Sequence, residues 1–92
     1  MQLQSILTLV ALATSVHGSY TMAICKDAAG IAVTEPTINA CSYARNNDGC
    51  FDCQYIPFDG FHCESMEGKI NSDKWGGFCK AAGAASGEGR NT

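Results

Sequence analysis

Cys50-Phe51-Asp52-Cys53-Gln54-Tyr55-Ile56-Pro57-Phe58-Asp59-Gly60-Phe61-His62-Cys63 carries three of the chain's six cysteines, and its reading decides the fold. From Cys50 the residues alternate. Phe51, Cys53 and Tyr55 fall on one side and Asp52 and Gln54 on the other, the period of a half-buried strand. Pro57-Phe58-Asp59-Gly60 is turn chemistry, and Phe61, Cys63 and Ser65 resume the alternation, so the stretch predicts a hairpin. In a strand, Cys50 and Cys53 point to opposite faces. A bond between them is therefore disfavoured, and different partners are expected.

Working upstream, Thr21 to Lys26 fits a first strand in which Met22 and Ile24 alternate against Ala23 and Cys25. Asp27-Ala28-Ala29-Gly30 supplies a turn. Thr34 reads as an N-cap, with Glu35 and Pro36 in the first turn and Val33 and Ile38 at the two positions of a hydrophobic staple. The helix is expected over 35–45, with Ile38, Cys41 and Arg45 on one stripe, and Asn46-Asn47-Asp48-Gly49 ends it. Downstream, Ser72 caps a second helix, in which Trp75, Phe78, Cys79 and Ala82 form a buried stripe. Gly76-Gly77 interrupts that helix at about 1 kcal/mol per glycine, which burial of Trp75 and a bond at Cys79 must offset. From Gly83 onward the chain lacks apolar bulk and reads as a mobile tail. The order strand, helix, hairpin, helix predicts an α+β fold: a small disulfide-rich domain in which a short antiparallel sheet packs with two helices.

The N-terminus reads as an export leader. Ile6-Leu7-Thr8-Leu9-Val10-Ala11-Leu12-Ala13 is shorter than the roughly 20 residues of a helical membrane span and suits the apolar region of a signal peptide. Val16 and Gly18 favour cleavage before Ser19, although Met1-Gln2-Leu3-Gln4-Ser5 lacks the usual basic residue. The expected organisation is a signal peptide over 1–18, a disulfide-stapled α+β domain over 19–82 and a flexible C-terminal tail over 83–92. His17 leaves with the leader.

Export leads to an oxidising compartment, so Cys25, Cys41, Cys50, Cys53, Cys63 and Cys79 are read as three disulfides, with all fifteen pairings of six cysteines open. So short a chain holds few bulky apolar side chains, and below roughly 80 residues such a core supplies only about 3–5 kcal/mol. A native disulfide in a small secreted domain contributes about 2–5 kcal/mol, so the bridges should dominate. Zinc held by Cys50, Cys53 and Cys63 or His62 is the competing use of these side chains, and a thioredoxin-like site at Cys50-x-x-Cys53 lacks its βαβ setting. No metal and no cofactor are expected.

Six basic and nine acidic residues give a formal charge of −3. With no basic cluster, neither nucleic acid nor stable membrane insertion is expected. His62 stands alone after the leader, and nothing in the spacing of Ser42, Ser65 or Ser72 builds a nucleophilic triad with it. A small hydrolase using Glu64, His62 and Arg45 is conceivable on paper, but acids beside a turn more often form a solvated face, so the chain is read as non-enzymatic. Phe51 and Tyr55 are expected to pack inward. Phe58, in the turn, is expected at the surface, where an aromatic stacks on a sugar ring or anchors in a protein pocket. Phe58 and Tyr55 are the candidate binding residues.

The chain resembles the small secreted cysteine-rich, effector-like proteins of filamentous fungi. The resemblance rests on the short leader, Cys25-Lys26-Asp27 followed by Gly30, Ala40-Cys41 on a helix, Cys50-x-x-Cys53, and Gly68-Lys69-Ile70 leading to Trp75 and Cys79-Lys80. It implies release into the host apoplast or interface, protease resistance through disulfides, and a virulence-associated action by binding a host protein or cell-wall component. The expected protein is a secreted monomer that binds an extracellular or host partner. The alternative is a secreted toxin or antimicrobial protein acting on competing cells, against which stands the lack of a cationic amphipathic face.

Overall fold

The computed structural model describes residues 19–91. The expected signal peptide, 1–18, lies outside the described residues. Eight elements follow in order: β1 (Ser19–Tyr20), β2 (Met22–Lys26), α1 (Thr34–Asn47), β3 (Gln54–Ile56), β4 (His62–Glu64), β5 (Ile70–Asn71), α2 (Ser72–Ala81) and β6 (Ser86–Arg90). Strands β3-β4-β2-β6 form one antiparallel sheet in that spatial order, and β1 pairs with β5 in a second, two-stranded one. The described residues form a small α+β domain with three disulfides and two helices, as the element order predicts.

The hairpin forms around the Pro57-Phe58-Asp59-Gly60 turn, with Tyr55 opposite Cys63. Its first strand is shorter than expected. Cys50 to Cys53 is a turn rather than a strand, closed by the Cys53 N–H donating to the Cys50 carbonyl at 3.1 Å. The turn brings the two Cα atoms to 5.3 Å, and Cys50 bonds Cys53 directly. The expectation of separate partners is corrected: opposite-facing side chains belong to an extended backbone, and this segment is not extended. Phe51, expected inside, is turned out at the tip and is 85 % exposed.

The other two bridges join sheet to helix. Cys25–Cys79 ties β2 to α2 across a sequence separation of 54, and Cys41–Cys63 ties α1 to β4 across 22. Among the described residues, every buried apolar residue apart from Ile70 and Trp75 is Ala or Cys. Sulfur and methyl groups thus fill the space that larger proteins give to Leu, Ile and Phe.

Both helices start one residue away from their expected caps. α1 is preceded by Val33, with no side-chain cap. Its first turn is tied instead by the buried Thr37, whose hydroxyl donates to the Val33 carbonyl at 2.7 Å and accepts the Cys25 N–H at 3.0 Å. Ile38 is 40 % exposed, so the inward stripe runs through Thr37, Ala40, Cys41 and Ala44 instead of Ile38. α2 is capped by Asn71, which accepts the Asp73 N–H at 2.9 Å. It runs unbroken through Gly76-Gly77. Trp75 and Cys79 are buried on it, and the Trp75 indole N–H donates to the Ile24 carbonyl at 2.9 Å.

The expected tail is corrected as well, because Ser86 to Arg90 is a strand paired with β2 over five residues. The ordered domain therefore extends past residue 82. Apolar bulk is absent from this segment because its neighbours supply it. A Cβ on Gly87 would stand 2.6 Å from Trp75 Cδ1 and 2.8 Å from Cys79 Sγ, and one on Gly89 would stand 2.1 Å from the Tyr20 ring. Only glycine lets the strand lie so close to those side chains.

Candidate functional site

Two loops meet beside the Cys50–Cys53 turn. Gly49, with φ of 76°, turns the chain out of α1 into Cys50, and the disulfide then closes Phe51 and Asp52 into a tight loop. From this loop Asp52 reaches across to the loop after β4. One carboxylate oxygen accepts the Ser65 hydroxyl at 2.7 Å, and the other accepts the Glu67 N–H at 3.0 Å. Ser65 is fully buried, and its oxygen also accepts the Lys69 N–H at 2.8 Å. A single serine thereby links both ends of its own loop to the neighbouring one.

These bonds favour the charged carboxylate, chiefly the Ser65 hydroxyl and then the Glu67 amide, and hold Asp52 below the usual carboxylate range. The braced pair of loops presents Phe51, 85 % exposed, and Met66, 81 % exposed. Between the two loops lies a depression of about 260 Å³ lined by Gly49, Phe51, Asp52, Glu67 and Lys69. An aromatic and a flexible thioether held outward on braced loops are side chains of the kind that can anchor a contact at little ordering cost.

The two residues expected to bind fall elsewhere and apart in role. Phe58 is 64 % exposed at the hairpin turn. Tyr55 is half-buried, packs against the core, and has its ring 6.3 Å from that of Phe61. Met66 escaped the sequence reading because a single apolar residue in a polar loop carries no periodic signal. Phe51 was misplaced by the strand assignment; the Gly49-Cys50-x-x-Cys53 spacing is the signal that marks the turn.

Of the residues considered for a hydrolase, His62 and Glu64 stand two residues apart on β4, and Arg45 lies on α1. Arg45 Nη1, on α1, donates to the Cys53 carbonyl at 3.5 Å, whereas His62 is buried on β4. The sulfurs of Cys41, Cys53 and Cys63 lie within 4.8 Å of one another, a spacing that suits a metal. Each is half of a disulfide, so their convergence is the packing of two bridges in the core rather than a set of thiolates. Among the described residues no helix is long and apolar enough to cross a membrane.

A family model described as biotrophy-associated secreted protein 4 matches residues 18–88. The chain belongs to that family, and its resemblance to secreted, cysteine-rich, effector-like proteins is borne out. Neither a curated protein nor a solved structure matches it.

Proposed function

We propose that this member of the biotrophy-associated secreted protein 4 family is a non-enzymatic, virulence-associated effector that acts as a monomer in the host apoplast or at the host interface. It binds a host protein there through Phe51 and Met66. The observation that carries this reading is the pair of large apolar side chains held outward on loops locked by the Cys50–Cys53 disulfide and the Asp52 hydrogen bonds. The bridges leave the fold little dependent on burying such side chains, and two of them kept in water on braced loops fit a partner that covers them. The family's description supports the setting, since it ties its members to secretion and to biotrophy.

The test is capture of partners from host extracellular fluid by the oxidised protein, followed by affinity measurement on the recovered partner with the Phe51→Ala/Met66→Ala double variant. Loss of two anchors of this kind weakens binding by about 2 kcal/mol or more, some thirtyfold. Unchanged affinity in a folded double variant overturns the assignment of the surface. Catalytic turnover of any host substrate, abolished by replacing His62 or Glu64 in a folded protein, overturns the non-enzymatic reading.

A further inference from the structure

The face of the four-stranded sheet that looks away from the helices carries a cavity of about 250 Å³, lined among others by Met22, Ile24, Asp59, His62, Glu88 and Arg90. Its construction follows from register. Ala23 opposite Cys63 turns both inward, so Ile24, one residue after Ala23, and His62, one residue before Cys63, turn outward; Ile24 pairs with Glu88 and Met22 with Arg90 on the other side. The hairpin turn completes the wall through Asp59 and Gly60, both held at positive φ, 57° and 77°. His62 is consequently only 6 % exposed although it faces away from the helices, and its Nδ1 has no hydrogen-bond partner among the described residues. A buried imidazole nitrogen without a partner is costly in a core this small.

The cavity sets acceptors against donors. Asp59 and Glu88 accept, Arg90 donates, and His62 does either according to its tautomer. Glu88 is already paired with Lys26, which keeps it ionised. Two carboxylates on one rim repel an anion, and Arg90 on the same rim repels a cation. His62, Asp59 and Glu88 do not converge closely enough to share a metal ion; among the described residues that spacing belongs to the core cysteines. What remains is a neutral ligand whose groups donate and accept at once. Hydroxyls do this. The volume lies below the range of about 300–1,000 Å³ typical of drug-sized ligands and suits one ring. Phe58, 64 % exposed, precedes Asp59 in the turn beside the cavity without lining it, and an aromatic ring there is available to the polarised C–H groups of a bound ligand.

We infer that this cavity is a binding site for a single neutral sugar ring of a glycan, in which Asp59, His62, Glu88 and Arg90 hydrogen-bond the hydroxyls and Phe58 flanks the ring. The site uses none of the residues of the Phe51–Met66 loops, so it stands or falls separately from the protein-binding surface.

The test is an amide-resolved NMR titration of the oxidised protein with three neutral oligosaccharides, the hexamers of β-1,4-glucose, β-1,3-glucose and β-1,4-N-acetylglucosamine, and with hexagalacturonate as an acidic comparator. At least one neutral oligomer is expected to shift the amides of Ile24, Gly60, His62 and Gly89, with a dissociation constant of about 1 mM or tighter for a ligand this small. Asp59→Asn, in which Asn tolerates the positive φ, and Arg90→Gln each change an exposed side chain and are expected to weaken binding by about tenfold, the loss of one charge-assisted hydrogen bond. Phe51→Ala/Met66→Ala leaves it unchanged. The inference is overturned if no neutral oligomer moves these amides at about ten times that concentration, if the shifts map to other residues, if the two rim variants bind as well as the parent, or if hexagalacturonate alone binds.

Discussion

On the helix-covered face of the β3-β4-β2-β6 sheet, Ala23, Cys25 and Cys63 pack with Ala40, Cys41, Ala44, Trp75 and Cys79; on the other face stand Met22, Ile24, His62, Glu88 and Arg90 around a cavity. The first face is closed by covalent bonds and small side chains, and the second is left open. The contrast shows where the large apolar residues of this protein go. Ile31, Ile38, Phe51, Phe58 and Met66 are all exposed, while the buried core has only Ile70 and Trp75 as bulky apolar members. Because bridges restrict the unfolded chain, the folded state depends less on apolar burial, and such residues are released for the surface.

The sharpest way to break this contrast is to empty the closed face. Trp75→Ala is expected to cost about 3–5 kcal/mol in urea denaturation, because it leaves a cavity under β6 and removes the bond to the Ile24 carbonyl. Gly87→Ala attacks the same contact from the strand side by overpacking, with an expected loss of about 1–3 kcal/mol.

The bridges should rank by the length of chain that they close. In the chain-entropy account, replacing Cys25 and Cys79 by Ala, across 54 residues, costs about 4 kcal/mol, and replacing Cys50 and Cys53, across 3, costs about 2 kcal/mol at most. Denaturation of the two double variants checks the order. Equal losses would mean that the short bridge supports the core and does more than hold the Phe51 loop.

Acid should separate the loop pair from the rest. The Asp52 carboxyl titrates lower in the folded protein than in the unfolded chain, so its hydrogen bonds stabilise fully above the ordinary Asp value of about 3.9. That stabilisation is lost as pH falls through the lower folded value. Hydrogen exchange at Glu67 and Lys69 is expected to quicken, relative to the β2–β6 ladder, in that range. Asp52→Asn should remove the pH dependence.

The smallest effect belongs to the open surface. Phe51→Ala/Met66→Ala is expected to change stability by no more than about 0.5 kcal/mol, since both side chains are already in water. A larger loss would show that they are packed in solution and would narrow the difference between the two kinds of surface.

Much of the architecture was legible along the chain because it rests on local signals. The turn at Asp27–Gly30, the hairpin at Pro57–Gly60 and the stripe Trp75, Phe78, Cys79 each lie within a few residues, where dihedral preference and periodicity speak directly. The errors before the hairpin share one cause. Phe51 and Cys53 fit a strand period by coincidence, and alternation over so few residues does not distinguish a strand from a turn with an open tip. Met66 gave no pattern, and Ser65 fitted only the strand alternation, because its buried role depends on Asp52, which stands thirteen residues before it.

What the amino-acid order determined by itself was the class of molecule: a cysteine-rich α+β chain too short to rely on hydrocarbon, acidic, and with its turns marked by Gly, Pro and Asp. Only the tertiary structure decided which sulfurs join, that the glycine-rich segment Ser86–Arg90 is an edge strand, and that His62 closes a cavity with residues from three other parts of the chain. Those outcomes depend on what lies across the fold from each residue. A glycine gains order from the indole above it, and a histidine gains its setting from a turn curled over it. The turn adjoins β4 in sequence, but the indole beside β6 and the β2 and β6 residues across the cavity come from other parts of the chain.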